Sequence, residues 1–189
     1  SNAGSLNITA TSLSLVATSG LIGGSDTGNI NADANDNAID ITVSTLAANA
    51  ESGIYVSETD GLTVTTVAAV TVDIESVVRV NFNSTTTDVS EDRTGSSLED
   101  LSTDTDGPVK LVSLAGSLTI NGGSDSVGVS ANGAGDVLIE ARGAGSDVII
   151  NADVISGTGN ITLDAGNDLD VNAALTSGGS GTIYLTSVS

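Results

Sequence analysis

Gly159-Asn160-Ile161-Thr162-Leu163-Asp164-Ala165-Gly166-Asn167-Asp168-Leu169-Asp170-Val171-Asn172-Ala173 decides the fold. Aliphatic residues alternate with Thr, Asp and Asn, a turn of Gly, Asn and Asp follows, and the alternation starts again. Period-2 alternation bounded by turn formers reads as half-buried β-strands, with the aliphatic set inward and the polar set outward.

The same unit recurs on both sides of this stretch. It spans 4–10, 135–141, 146–152 and 181–186, and weaker copies start at Gly28, Asn37, Gly53, Gly61 and Gly116. Helical patterns are nearly absent: residues 46–52 read as a turn between strands, and Ser97 could cap a single helical turn over 97–101. The first inward residues of the later copies are Leu118, Val127, Val137, Val148, Ile161, Leu169 and Ile183. Single steps wander, but the alternate steps, 118–137, 127–148, 137–161, 148–169 and 161–183, tighten to 19, 21, 24, 21 and 22 residues, about 21 on average. That is the length of one coil in a parallel β-solenoid with two or three short strands per turn. The expectation is therefore an all-β chain forming a right-handed parallel β-solenoid of about nine coils, a rod of about 40 Å at about 4.8 Å per coil. An antiparallel β-sandwich is the alternative, because it too repeats short strands, and Asn121-Gly122 and Asn132-Gly133 are hairpin-type pairs.

Composition agrees with stacked coils. The 189 residues suffice for one domain, and 39% of them are hydrophobic, too apolar for disorder. Aromatics are 2% of the chain, only Tyr55, Phe82 and Tyr184, so the core is aliphatic. Identical small residues over one another suit thin repeated layers. The single proline, Pro108, fits a chain whose amides are nearly all paired between coils.

Charge and missing residue types exclude whole classes of function. With 24 Asp+Glu against 4 Lys+Arg, the net charge of -20 offers no basic patch for phosphates, so neither nucleic acid nor an anionic membrane surface is an expected partner. There is no His and no Cys, which removes His or Cys metal centres, thiol nucleophiles and His-dependent triads. The longest aliphatic run, 67–70, is far too short to insert in a membrane. Ser1-Asn2-Ala3 reads as the remnant of a cleaved expression tag.

One stretch breaks the repeat. Residues 84–107 carry seven carboxylates, Asp88, Glu91, Asp92, Glu99, Asp100, Asp104 and Asp106, with one Arg. The expected division is N-terminal coils over 4–83, an acidic inserted loop over 84–107 and C-terminal coils over 108–189, in one structural domain. The strings 70–74 and 78–82 read as coil strands longer than the average.

Calcium is the one cofactor this composition supports, since a hard cation wants clustered carboxylate and carbonyl oxygens. Asp104-Thr105-Asp106-Gly107 resembles the opening of a calcium loop but lacks the later ligands. Gly143-Ala144-Gly145-Ser146-Asp147 approaches a glycine-rich solenoid calcium motif once, without a tandem copy. Asp104, Asp106 and Asp147 are the metal candidates on this reading, with solvated acids as the bland alternative. Glycosidase chemistry needs two acids at set separation in a sugar-gripping cleft, whereas Asp40, Asp73, Glu140, Asp164 and Asp170 are scattered on outward positions. No catalytic residue is expected.

The run from 159 to 179 resembles the repetitive β-helical stalks of very large bacterial surface proteins, the filamentous-haemagglutinin-like adhesins and autotransporter passengers. The resemblance covers about residues 4–83 and 108–189 and is one of pattern. It implies a monomeric, non-enzymatic, structural or adhesive stalk segment of a secreted or outer-membrane-anchored protein, meeting a glycan or protein on a host or neighbouring cell surface. A calcium-dependent binding module and a polysaccharide-active β-helix enzyme are the rival readings.

Overall fold

The structure is a computed structural model that describes residues 5–24, 37–72, 78–88 and 93–188. The tag remnant at 1–3, the repeat start at Gly28, Asp73 and the acids Glu91 and Asp92 lie outside the described residues. The chain is all-β, and among the described residues no helix is long and apolar enough to cross a membrane. The first strands are β1 (Ile8–Ala17), β2 (Leu21–Ile22), β3 (Ile39–Ala50), β4 (Gly53–Glu58) and β5 (Leu62–Val64). Four short strands follow, β6 (Thr71–Val72), β7 (Val78–Val80), β8 (Thr86–Asp88) and β9 (Arg93–Thr94). Then come β10 (Leu101–Thr103), β11 (Val109–Ser113), β12 (Leu118–Ile120), β13 (Val127–Ala131), β14 (Val137–Ala141) and β15 (Val148–Ile150). The last are β16 (Asp153–Ser156), β17 (Ile161–Ala165), β18 (Leu169–Val171), β19 (Leu175–Ser177) and β20 (Ile183–Ser187).

Sixteen of these strands join one sheet that winds as a three-faced parallel β-solenoid. One face stacks β2, β4, β11, β14, β17 and β20. A second stacks β5, β12, β15 and β18. The third stacks β10, β13, β16 and β19 on the C-terminal part of β3, which in turn lies on β1. The chain visits the faces in fixed rotation, so strand neighbours in the sheet are one coil apart in sequence. Every pairing among these strands is parallel, which rules out the antiparallel sandwich.

The register explains why the alternation is so regular. Ile54, Val109, Val137 and Ile161 occupy one position in successive coils, and Val56, Leu111, Ile139 and Leu163 the next inward one. On the second face Leu62, Leu118 and Val148 form a column beside Val64, Ile120 and Ile150. All are buried. Branched aliphatics stack upon their own kind, each burial being worth about 1.5–3 kcal/mol. Burial fades at β18 and β20, where Val171, Ile183 and Leu185 are exposed, because that layer is covered on one side only.

Polar residues at the corners repeat with the same step. Asn151 Nδ2 donates to Asn121 Oδ1, and Asn172 Nδ2 to Asn151 Oδ1, each at 3.0 Å, forming an asparagine ladder over three coils. Asp136 Oδ1 accepts the Asn160 amide at 2.7 Å, and Asn160 Oδ1 accepts the Thr182 amide at 2.9 Å. Much of the Asp and Asn content therefore satisfies backbone donors where the chain turns from face to face.

The structure corrects the coil count. Among the described residues the first face is six strands deep, about 24 Å between its end strands at about 4.8 Å per layer, not nine coils. The period of 21 holds only late, from Val148 to Leu169 and from Val154 to Leu175. Earlier, Val109 to Val137 takes 28 residues and Ile54 to Val109 takes 55, because turns and an excursion consume chain without adding layers. The residues at 46–52 are also not a turn: Leu46 to Ala50 complete β3, with Leu46, Ala47 and Ala48 buried.

The excursion is wider than 84–107 and begins earlier. Val67 bridges Leu98, Thr71 pairs with Thr94, Val72 with Arg93, and Val78, Arg79 and Val80 pair with Asp88, Thr87 and Thr86, all antiparallel. Together they make an antiparallel hairpin arm, described as two ladders whose registers differ by one residue. Of the strings 70–74 and 78–82, the described residues 70–72 and 78–82 thus belong to the arm and not to coils, while Leu101 and Thr103, within the expected loop, are buried in the third face. Residues 97–101 form no helical turn: Leu98 is bridged, Leu101 is in β10, and Asp100 between them has φ 65°.

Candidate functional site

The arm leaves the solenoid after β5 at Thr66 and returns at Glu99 and Asp100, beside the 121–125 turn that links β12 to β13. Glu99 is held there by three donors. The Ser124 amide donates to Oε2 at 2.6 Å, the Ser124 hydroxyl to Oε1 at 2.8 Å and the Thr66 hydroxyl to Oε2 at 3.4 Å. These bonds, the Ser124 amide first, hold the Glu99 carboxyl below its usual range. Gly123 is required by the close approach, since a Cβ there would collide with Glu99 Oε2 and Thr66 Oγ1.

Asp100 is the unusual member. It adopts φ 65°, a left-handed conformation that Asp and Asn tolerate better than most residues, and its carbonyl accepts the Ala48 amide at 2.8 Å. Only 8% of the residue is exposed, and its Oδ1 is buried with no hydrogen-bond partner. Burial pushes its pKa to about 6, and the neighbouring Asp125 and Glu99 charges push in the same direction, against the Gly123 amide. One carboxylate oxygen from each of Glu99, Asp100 and Asp125 lies within 4.8 Å of the others.

The three aspartates singled out by sequence are not brought together. Asp104 Oδ1 accepts from Asn49 Nδ2 at 3.1 Å, and Asp106 Oδ1 accepts the Ala134 amide at 3.1 Å. Asp147 Oδ1 accepts Asn167 Nδ2 at 2.8 Å and the Asp168 amide at 3.1 Å, which lower its pKa. Each bonds a neighbouring coil, and none belongs to the carboxylate group at the arm's root. Sequence reasoning placed Glu99 and Asp100 in an acidic loop and overlooked Asp125. The signal was Gly122-Gly123-Ser124-Asp125, a turn too rich in glycine for a plain corner.

Two further carboxylates are set by their surroundings. Glu58, at the end of β4, is fully buried; its Oε2 accepts the Val43 amide at 3.2 Å, and its Oε1 the Thr59 and Asp60 amides at 3.0 and 3.3 Å. Burial nevertheless raises its pKa to about 7. On the first face Glu140 lies beside Asp164 on the next strand, and Arg142 clamps Glu140 through Nε at 2.7 Å and Nη2 at 3.1 Å. Asp164 is raised by burial and by Glu140. The arginine acts there as a local counter-charge.

The arm itself exposes apolar surface. Val70, Val72, Val78 and Val80 are all exposed, and Phe82 at the tip is 103% exposed. The tip is organised: Asn81 Nδ2 donates to Thr85 Oγ1 at 3.1 Å and Thr87 Oγ1 at 2.8 Å, and Ser84 turns the chain with φ 62°.

These features define a three-faced parallel β-solenoid bearing one antiparallel arm with a carboxylate cluster at its root. No protein-family model, curated protein or solved structure matches the chain.

Proposed function

We propose that this chain is a non-catalytic structural and adhesive segment of a large secreted or cell-surface bacterial protein, in which the solenoid is a rigid mount and the arm makes the contact. The observation that carries this reading is Phe82, one of three aromatic residues in the chain, held fully exposed at the end of a hairpin flanked by exposed valines. The stacked columns of the solenoid send their aliphatic side chains inward, and exposed apolar clusters mark interaction sites. Aromatic residues dominate interface energetics, so Phe82 is the natural anchor. The partner is a protein or glycan on a neighbouring or host cell surface. The experiment is retention of the fluorescently labelled chain on cells and on glycan and protein arrays. Wild type is retained, and Phe82→Ser with Val80→Thr reduces retention at least tenfold at unchanged melting temperature; equal retention of the variant refutes the arm as the contact element.

A further inference from the structure

We propose that Glu99, Asp100 and Asp125 bind one Ca2+ ion at the root of the arm. The donors are all oxygen, as a hard cation requires, and their spread of at most 4.8 Å is what a Ca2+ ion spans, because opposite ligands at about 2.4 Å each lie about 4.8 Å apart. The buried Oδ1 of Asp100, without a donor, is an acceptor that the folded chain leaves unmatched. A cation bound by the Asp100 carboxylate gives this buried group a charge partner and offsets the repulsion among three carboxylates.

The surroundings are built to present these oxygens. The Gly123 amide faces Asp100, the Ser124 amide and hydroxyl fix Glu99, and the absence of a side chain at Gly123 lets Glu99 and Thr66 pack against this turn. Asp125 is exposed and gives the ion its route from solvent, and water supplies the remaining oxygen ligands. Ca2+ accepts such an irregular, partly hydrated set, whereas Mg2+ demands near-octahedral geometry at about 2.1 Å. The ion would join the exit and return of the arm to the next coil. This inference does not rest on the adhesive reading.

The test is isothermal titration of the whole chain with CaCl2 in 150 mM NaCl at pH 7.5, with MgCl2 as comparator, and thermal melts in CaCl2 and in EDTA. One Ca2+ per chain is expected, with Kd on the order of 10⁻⁴–10⁻³ M, together with a rise in melting temperature. Asp100→Asn and Asp125→Asn each weaken binding at least tenfold, while Asp147→Asn leaves it unchanged. Asn at 125 can still accept the Val127 amide, so that variant carries the test if Asp100→Asn fails to fold. Absence of heat and of stabilisation at 10 mM CaCl2 overturns the site, as does a response that Asp125→Asn leaves intact. Equal affinity for Mg2+ overturns the choice of Ca2+.

Discussion

Replacing Glu58 with Gln should flatten the pH dependence of stability. The carboxyl lies wholly inside the first coils, and although three backbone amides point at it, burial prevails and it titrates near pH 7 instead of 4.5. A folded-state value raised above the unfolded one means that the stabilising contribution is complete below about pH 4.5. It declines as pH rises and is lost above about pH 7. At about 1.4 kcal/mol per pH unit, the full swing is roughly 3 kcal/mol. Gln keeps the shape and cannot ionise. Its Oε1 can accept the Thr59 and Asp60 amides, but its Nε2 then faces the Val43 amide, a donor against a donor that costs about 1–3 kcal/mol. The absolute stability of Glu58→Gln therefore stays close to wild type at pH 8, and the informative quantity is the slope. Urea unfolding at half-unit steps from pH 4.5 to 8 should show wild type losing stability relative to the variant by roughly 3 kcal/mol across that range. A difference between the two proteins that does not change with pH would refute the buried ionisable Glu58.

Other perturbations test other parts of the structure. Ile161→Ala, in the middle of the buried column of the first face, should cost about 2–5 kcal/mol in chemical denaturation. Replacing 68–97 by Asn-Gly, which closes the Val67–Leu98 bridge as a tight hairpin, should leave the β circular dichroism and the cooperative melt intact, whereas deleting 88–104 removes buried Leu101 and Thr103 and should abolish them. Asn151→Ala breaks both rungs of the asparagine ladder and should lower stability by about 1–2 kcal/mol in the same assay.

The aliphatic columns were legible in the sequence because burial on one side of a strand enforces strict alternation, and Ile161, Leu163, Val148 and Ile150 all point inward as that alternation requires. The coil count was not. Val70, Val72, Val78 and Val80 carry the same alternation in a hairpin that adds no layer, and period 2 does not distinguish a strand that stacks from one that projects. The carboxylate group was half visible. Glu99 and Asp100 stood out in an acidic run, but Asp125 reaches them only because Leu101 is registered against Val129, which places the 121–125 turn beside the arm's root. Asp104, Asp106 and Asp147 look like ligands because Asp close to Gly is common to metal loops and solenoid corners alike; here backbone amides claim Asp106 and Asp147, and the Asn49 side chain claims Asp104.

Spin-label distances along the first face test the parallel stack most directly. The chain has no cysteine, so Tyr55, Lys110, Leu138, Thr162 and Tyr184, outward residues in register on β4, β11, β14, β17 and β20, can each be replaced by a labelled Cys without background. Pairs of position 55 with 138, 162 and 184 should lengthen in equal steps of about 4.8 Å per coil, reaching about 19 Å between backbones at 184. Distances that fail to grow in that order would contradict the solenoid.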